Sequence, residues 1–205
     1  MSYFPMFIEL KDKPCLVVGG GAVALRKAEA LLDFGAEIFV TAPVILPEIK
    51  EIKGVIYCEK HFEKEDIRNK ELVVAATDDP ELNHRISKVC RKANIPVNAV
   101  DQIEDCSFIF PAYVKEGKVV AAFSSSGLSP VTTQYLKDKM RPILTPFVGE
   151  LAACLGEIRS TVRQCVKTEE ERKEVYREIL EYGLKKDMLP SEAEIADILQ
   201  KYKNS

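Results

Sequence analysis

The chain has 205 residues, of which 46% are hydrophobic and 30% charged, a composition typical of a folded globular protein with one large or two small domains. Its formal net charge of -3 gives no reason to expect binding to nucleic acid, and no apolar run approaches the roughly 18 residues that would indicate a membrane span. The first ten residues, MSYFPMFIEL, lack a basic segment followed by a long apolar core, so we expect no secretory signal and a cytoplasmic protein.

Six cysteines are scattered along the chain without a C-x-x-C pair, at positions 15, 58, 90, 106, 154 and 165. Most of them lie among apolar residues, which predicts buried, reduced thiols rather than a zinc site. The two histidines, His61 and His84, are accompanied by no H-x-x-x-H pattern and no carboxylate cluster. We therefore predict that the protein holds no resident metal and that both histidines lie at the surface.

The first predicted elements are a short apolar strand at 15–18, a three-glycine turn, Gly19-Gly20-Gly21, and a helix. Strand, glycine turn and helix are the context in which a G-x-G-x-x-G/A pattern indicates dinucleotide binding, here as Gly19, Gly21 and Ala24. Gly19 would permit the tight turn, Gly21 would let the backbone approach a pyrophosphate, and Ala24 would keep helix and strand close. The first N–H groups of the helix would then face the phosphates.

Four more strands are predicted further along the chain, at 36–41, 55–61, 71–77 and 96–100. A helix is predicted at 81–93, before the last of these strands. This alternation predicts an α/β fold with a Rossmann-like, doubly wound parallel sheet. The second strand ends at Thr41, where such folds usually carry an acid for the adenosine ribose, and no arginine for a 2′-phosphate is present either. After the fourth strand, Asp78 and Asp79 either cap the next helix or face the ligand crevice.

The pattern changes after Asp101. Two β-rich runs, 107–114 and 118–124, predict a β-hairpin, and the rest of the chain is predicted to be helical, at 130–139, 147–166, 169–185 and 192–203. The last two helices begin at capping boxes, Thr168 with Glu171 and Ser191 with Glu194. In the helix predicted at 147–166, apolar residues recur at helical spacing: Leu151, Cys154, Leu155 and Ile158. That helix therefore needs an apolar partner.

Four blocks occur in order along the chain: PCLVVGGGAVALRKAEALLDFGA, VVAATDDPELN, VNAVDQIEDCSFIFPA and FSSSGLSPV. In this combination the chain resembles the siroheme-synthesis family of precorrin-2 dehydrogenases, some of which are also sirohydrochlorin ferrochelatases. The resemblance implies a Rossmann-like NAD-binding domain at 1–113, a small central α+β dimerisation region at 114–145 and a C-terminal helical region at 146–205. Members of this family lack the usual ribose-binding acid and still use NAD, which accounts for Thr41.

The reaction implied by the resemblance is the NAD-dependent oxidation of precorrin-2 to sirohydrochlorin in a homodimer, followed in bifunctional members by insertion of Fe²⁺ as a substrate. Pro43 and Val44 would approach the adenosine through their backbone, Thr77 and Asp78 would lie near the nicotinamide, and Asp101 would be catalytic. Five consecutive residues would line the pyrophosphate: Gly19, Gly20, Gly21, Ala22 and Val23.

Oxidation of the tetrapyrrole requires a hydride to leave for the nicotinamide and a proton to leave for a base. A carboxylate at the carboxyl end of a strand, facing the cofactor crevice, suits that base, and one carboxylate could also accept pyrrole protons during metal insertion. The alternative is that Asp101 only caps the loop that follows it.

Other functions stay open at this point. The same N-terminal fold occurs in non-catalytic nucleotide-sensing modules and in dehydrogenases for other acids. Five basic side chains against two acidic ones between 114 and 141 suit a polycarboxylate substrate, but could equally be solvated. Ser125 lies in a serine run that is phosphorylated in some members of the family.

Overall fold

The computed structural model describes residues 3–202, and the chain forms two compact units, Met1–Phe110 and Pro111–Ser205. The first unit contains five strands: β1 Pro14–Val18, β2 Glu37–Ala42, β3 Val55–Glu59, β4 Leu72–Ala75 and β5 Val97–Ala99. They form one parallel sheet in the order β3-β2-β1-β4-β5. The predicted Rossmann-like fold is therefore confirmed, and all five strands were predicted.

The helices of the first unit are α1 Ala22–Leu32, α2 Pro47–Glu51 and α3 Pro80–Lys92. Two single 3₁₀ turns, Lys64–Ile67 and Ile103–Asp105, complete it. The short helix α2 and both 3₁₀ turns were not predicted, because each is shorter than the window over which hydrophobic periodicity can be recognised.

Both faces of the sheet are apolar, as expected for parallel strands covered on each side. Along β1 the side chains alternate: Cys15 and Val17 belong to the apolar cluster that contains Ala24 and Ala28 of α1. Leu16 and Val18 belong to a second cluster, which contains Ile86 and Cys90 of α3. The two helices thus bury opposite faces of the same strand.

The register brings the carboxyl ends of β1, β2, β4 and β5 to one edge. Val18 pairs with both Thr41 and Ala75, and Ala75 pairs with Ala99. The direction in which the chain builds the sheet reverses between β1 and β4, so the loops after these two strands diverge on opposite faces. Ligands of open α/β sheets bind at such a switch point.

The second unit begins with an antiparallel hairpin of β6 Ala112–Glu116 and β7 Val119–Phe123. Five helices follow: α4 Pro130–Met140, α5 Pro146–Glu157, α6 Arg159–Cys165, α7 Glu169–Lys186 and α8 Glu192–Tyr202. The predicted apolar partner of α5 exists. Leu151 is fully buried against Gly183 of α7, and Cys154, Leu155 and Ile158 pack against the helical core.

Two predicted boundaries are wrong. The first hairpin strand begins at Ala112 and not at Ser107. The N–H of Ser107 donates to the carbonyl of Val97 at 2.8 Å. The next aromatic residues, Phe108 and Phe110, pack into the core of the first unit. The predicted helix at 147–166 is two helices, since its backbone breaks at Ile158, where φ is -79° and ψ is -1°.

The capping boxes are confirmed. Thr168 accepts the N–H of Glu171 at 3.2 Å, and Ser191 accepts that of Glu194 at 3.3 Å. The last predicted helix is seen through Tyr202, and Lys203 lies outside the described residues. Over the described part of the chain, no helix combines the length and apolarity needed to cross a bilayer. The finer division at 113 and 145 stays a prediction.

Candidate active site

The first two glycines of the turn are required by contacts within the protein. Gly19 has φ +134°, and a Cβ there would lie 2.2 Å from the carbonyl oxygen of Ala76. A Cβ on Gly20 would lie 1.9 Å from the carbonyl oxygen of Val44. The turn is therefore wedged between the loop after β4 and the loop after β2, and the N–H of Leu46 donates to Gly20 at 2.9 Å.

The third glycine faces open space. A Cβ on Gly21 would meet no atom within 4 Å, although Gly21 is the N-cap residue of α1, a position where serine, threonine, aspartate and asparagine are preferred. No side chain caps α1, and its first turn holds no acidic residue. The free N–H groups and the positive end of the helix dipole are thus left for a ligand, and both favour an anion.

The loop after β2 lies against the glycine turn. Pro43 and Val44 are exposed, Val44 to 78%, which leaves an apolar surface beside the turn. No acidic side chain follows Thr41 on β2. The nearest strand end carries Glu59, whose neighbour in the register is Ala42. Glu59 accepts a hydrogen bond from Lys50 of α2 at 2.8 Å, and this bond lowers the pKa of its carboxyl group.

The loop after β4 is held by Asn83 of α3, which is 3% exposed. Its Oδ1 accepts the N–H of Thr77 at 3.2 Å and the hydroxyl of Thr77 at 2.8 Å, and its Nδ2 donates to the Thr77 carbonyl at 3.1 Å. Asp79 caps α3 by accepting the first free N–H groups of the helix at 2.9 and 3.1 Å. Asp78, in contrast, is exposed and does not cap the helix.

Asp101 follows β5 at the same edge and is exposed. Its φ is +60°, in the left-handed region that non-glycine residues seldom adopt. Its neighbour Gln102 donates from Nε2 to the carbonyl of Pro80, the first residue of α3, at 3.1 Å. The loops after β4 and β5 are therefore anchored on one helix. The capping alternative does not hold for Asp101, because no described backbone N–H donates to its carboxylate.

The chain has relatives of known name. Residues 6–112 match a family described as putative NAD(P)-binding. The siroheme synthase of Sodalis glossinidius is 40% identical over 171 residues, which cover 82% of this chain and 36% of that protein. The siroheme synthase of Thioalkalivibrio sulfidiphilus is 38% identical over 184 residues, which cover 88% of this chain and 38% of the relative. The chain thus spans little more than a third of these relatives.

A solved structure of SirC, described as a precorrin-2 dehydrogenase, covers 99% of this chain and 100% of its own, with a TM-score of 0.68 and 25% identity. The chain belongs to the siroheme-synthesis family. Its first unit is accordingly a nicotinamide-dinucleotide-binding domain, and the residue types at the carboxyl edge fit such a group, because the uncapped start of α1 offers N–H donors to a pyrophosphate.

Within this family member, the structure brings all the predicted site residues to one edge of the first unit. The glycine turn, the loop after β2, the loop after β4 and Asp101 all follow aligned strand ends. The residues that hold these loops in place were not predicted from the sequence. Asn83 lies inside the quoted block VVAATDDPELN and could have been suspected, because a buried amide requires partners.

The prediction that both histidines lie at the surface is confirmed for His61, which is exposed. His84, on α3, is half-buried, with 42% of its side chain exposed. Its Nδ1 lies 2.8 and 2.9 Å from the two carboxylate oxygens of Asp105, a buried residue. A contact between residues 21 positions apart leaves no periodic signal in the sequence. Among residues 3–202, no three His, Cys, Asp or Glu side chains are grouped to hold a metal ion.

A half-buried cation lies within electrostatic reach of Asp101. The Nζ of Lys27 on α1 stands 3.9 Å above the ring of Phe110, a cation–π contact. Burial, with a smaller contribution from Arg26, lowers the pKa of Lys27, while Asp101 acts in the opposite direction. Asp101 therefore has the cation of Lys27 on the side of α1, and its neighbour Gln102 is bonded to α3 on the other side.

All six cysteines are free thiols. Burial raises the pKa of Cys15 to about 11 and that of Cys90 to about 12, so these two stay protonated at neutral pH. The expected burial holds for Cys15, Cys90 and Cys106, whereas Cys154 and Cys165 are half-buried and Cys58 is exposed on the edge strand β3.

Proposed function

We propose that this protein catalyses the oxidation of precorrin-2 to sirohydrochlorin with NAD as the hydride acceptor. The observation that carries the proposal is the position of Asp101. It lies at the same sheet edge as the open start of α1, in a chain that matches a precorrin-2 dehydrogenase structure over its whole length. A base beside a nicotinamide site is the arrangement that loss of a hydride and a proton requires.

Gly19 to Val23 would hold the pyrophosphate, with Gly21 leaving the space for it. The exposed backbone at Pro43 and Val44 would cover the adenosine, and Thr77 and Asp78 would contact the nicotinamide half. NAD rather than NADP is favoured by the charge at the end of β3. Lys50, the cation on α2, is already paired with Glu59 at 2.8 Å, and a carboxylate there opposes a 2′-phosphate.

When bound, the nicotinamide supplies the hydride acceptor. Asp101 then takes the proton that leaves the tetrapyrrole, so that precorrin-2 and NAD⁺ give sirohydrochlorin, NADH and a proton. Its exposure keeps the carboxylate accessible to substrate, and Lys27 adds a positive charge within reach. The fixed backbone around Asp101 holds the base in place, which is the part of catalysis that a protein supplies by positioning.

Insertion of Fe²⁺ into sirohydrochlorin is a second candidate activity, favoured by the same carboxylate. Metal insertion removes two pyrrole protons, and Asp101 could accept them in turn. Iron would enter as a substrate.

A homodimer is favoured by the second unit. Helix α4 buries none of its residues, and it carries or adjoins a series of exposed apolar side chains: Leu128, Val131, Tyr135, Leu136 and Ile143. A series of exposed apolar side chains of this kind favours a protein interface, and a second copy of this chain is the proposed occupant. Val131→Asp should shift the protein to monomers in analytical ultracentrifugation. The six free thiols favour a cytoplasmic location, which stays a prediction.

The function is tested by an anaerobic assay of precorrin-2 with NAD, following NADH and sirohydrochlorin together. Asp101→Asn is the sharpest variant, because asparagine tolerates the left-handed backbone at this position and removes only the charge. We expect kcat to fall by about 10²–10⁴, the usual contribution of a general base. Glu104→Gln removes a nearby exposed carboxylate and serves as the matched control with unchanged activity.

A wild-type protein that binds NAD but forms no sirohydrochlorin would refute the enzyme and favour a non-catalytic NAD-sensing module. Equal turnover by wild type and Asp101→Asn would instead retain the activity and remove Asp101 from it. Addition of Fe²⁺ to the product mixture tests the second activity: insertion no faster than without protein would exclude it.

A further inference from the structure

The loop that carries Asp101 is closed by a buried thiol. The Sγ of Cys106 lies 3.2 Å from the carbonyl oxygen of Ala99 and 3.4 Å from that of Gln102, and it accepts the N–H of Ala99 at 3.3 Å. Ala99 and Gln102 stand on either side of the Val100-Asp101 pair. One sulfur atom therefore contacts the backbone both before and after the carboxylate-bearing residue.

The segment that carries this thiol is itself held by one face of α3. Residues His84, Ser87 and Arg91 are spaced three and four apart, so their side chains lie on the same side of the helix. The hydroxyl of Ser87 donates to the carbonyl of Asp105 at 2.6 Å, and Arg91 Nη2 donates to the carbonyls on either side of it at 2.7 and 3.2 Å. His84 pairs with the Asp105 carboxylate. Two side chains thus fix the backbone at 104–106, and a third holds the side chain of Asp105.

Asp101 needs such support. Its φ of +60° is unfavourable for a residue with a Cβ and persists only where the surroundings impose it. Within the described part of the chain, no hydrogen bond reaches its carboxylate, so nothing holds the side chain directly. The direction of the carboxylate therefore depends on the backbone, and the backbone depends on the bonds at Ala99 and Gln102.

We propose that Cys106 is a positioning residue for Asp101: through its thiol it fixes the backbone on both sides of the catalytic carboxylate. This inference rests on the proposed function. Burial raises the pKa of Cys106, so the sulfur keeps its proton and can donate to a carbonyl while it accepts from an N–H. Alanine at this position lacks the sulfur and could make neither bond.

The test compares Cys106→Ala with Cys106→Ser and with Cys90→Ala. Cys90 is also buried in the same unit but makes no side-chain bond to the Asp101 loop, so Cys90→Ala reproduces the loss of a buried sulfur without the loss of the positioning bonds. We expect Cys106→Ala to lower kcat about tenfold to hundredfold, the effect of misplacing a catalytic group by about 1 Å. The Kd for NAD should not change, because the cofactor contacts lie on other loops.

Cys106→Ser should recover most of the lost kcat, because a hydroxyl can make the same bonds. Amide hydrogen exchange supplies a readout besides activity: exchange in the peptide 98–107 should rise in Cys106→Ala and stay at the wild-type level in Cys90→Ala. Should Cys106→Ala fail to fold, Ser87→Ala replaces it, since it removes one of the bonds that hold the same segment.

Unchanged kcat in Cys106→Ala would overturn the inference even if exchange increased, because the thiol would then be structural only. An equal loss in Cys90→Ala would also overturn it, since any buried sulfur would have the same effect. A loss that serine does not rescue would do the same. Absence of turnover in the wild type is a separate result: it refutes the proposed function and removes the inference with it.

Discussion

Three adjacent glycines should respond in different ways to one added side chain. At Gly19 and Gly20 a Cβ would stand 2.2 Å and 1.9 Å from backbone carbonyl oxygens, whereas at Gly21 it would meet nothing within 4 Å. Backbone atoms cannot move aside as a flexible side chain can. Gly19→Ala and Gly20→Ala should therefore damage the fold, while Gly21 can be replaced without any effect on the packing of the protein itself.

The magnitudes separate the cases. Gly19→Ala combines a strained backbone, about 1–3 kcal/mol, with overpacking of about 1–3 kcal/mol, so the free energy of unfolding should fall by roughly 2–6 kcal/mol. Gly21→Ser works in the opposite direction. Serine is better than glycine as an N-cap by a few tenths of a kcal/mol, and the loss of chain freedom in the unfolded state adds about 0.4–1 kcal/mol. The result is a gain of about 1 kcal/mol, or roughly 2–4 °C in Tm.

The same serine should weaken the binding of NAD. It occupies the space in front of the first N–H groups of α1 and uses one of them for its own hydroxyl. A hydrogen bond to a charged group contributes about 1.5–3 kcal/mol, so the loss of one corresponds to an increase in Kd of about tenfold to hundredfold. Gly21→Ser is thus expected to be more stable and less able to bind its cofactor.

Differential scanning calorimetry gives Tm without cofactor, and isothermal titration calorimetry gives the Kd for NAD. Gly156→Ala is the matched control, because Gly156 lies inside α5 and also has no atom within 4 Å of its added Cβ. It should be stabilised with unchanged affinity. Wild-type affinity in Gly21→Ser would refute the placement of the pyrophosphate at α1, and a Tm as low as that of Gly19→Ala would refute the packing argument.

Three further predictions concern other parts of the chain. Glu59→Gln removes a carboxylate from the end of β3 and releases Lys50, so the affinity for NADP relative to NAD should rise several-fold in fluorescence titrations. The thiols of Cys15 and Cys90 ionise near pH 9 when unfolded but only near 11 and 12 when buried. Their contribution to the free energy of unfolding is therefore fully present below pH 9. Above pH 9 the free energy of unfolding, measured by urea unfolding, should fall by up to about 1.4 kcal/mol per pH unit for each thiol. Thr168→Ala removes the N-cap of α7 and should lower the free energy of unfolding by about 1 kcal/mol.

Each of these has a result that contradicts it. Unchanged cofactor preference in Glu59→Gln would show that the charge at β3 does not reach the ribose. An alkaline slope that stays the same in Cys90→Ala would assign it to other groups. For the α7 cap, Thr168→Ser should keep the stability that Thr168→Ala loses, and an equal loss in both would place the effect outside the capping bond.

The inner strands β1 and β4 were predictable because both of their faces are buried. A run such as Leu72–Ala75 is apolar at every position, and few other structures bury four consecutive side chains. The break between α5 and α6 was not predictable in this way. The apolar spacing continues through Ile158, and the interruption consists of a change in backbone angles without glycine or proline at the break. Periodicity records which residues are buried and not whether the helix axis continues.

The candidate site was predictable where function leaves its own signal. Glycines at fixed spacing and an acid after a strand both carry such a signal, and the structure puts Gly21 and Asp101 at one edge. The requirement for Gly20 was invisible, because it comes from the carbonyl oxygen of Val44, a contact between loops of two different strands. The pairing of His84 with Asp105 depends on the same kind of long-range contact.

Helix α3 connects the two halves of the candidate site. Its first residue accepts a bond from Gln102, and Asn83 in its first turn holds Thr77 through three hydrogen bonds. The loop proposed to lie beside the nicotinamide and the loop that carries the proposed base therefore share one rigid support. Because hydride and proton must leave the same substrate in one reaction, the distance between these loops matters more than the position of either one. A short helix start that bonds both loops fixes that distance, which gives the Asp-Pro sequence that begins α3 a role beyond capping.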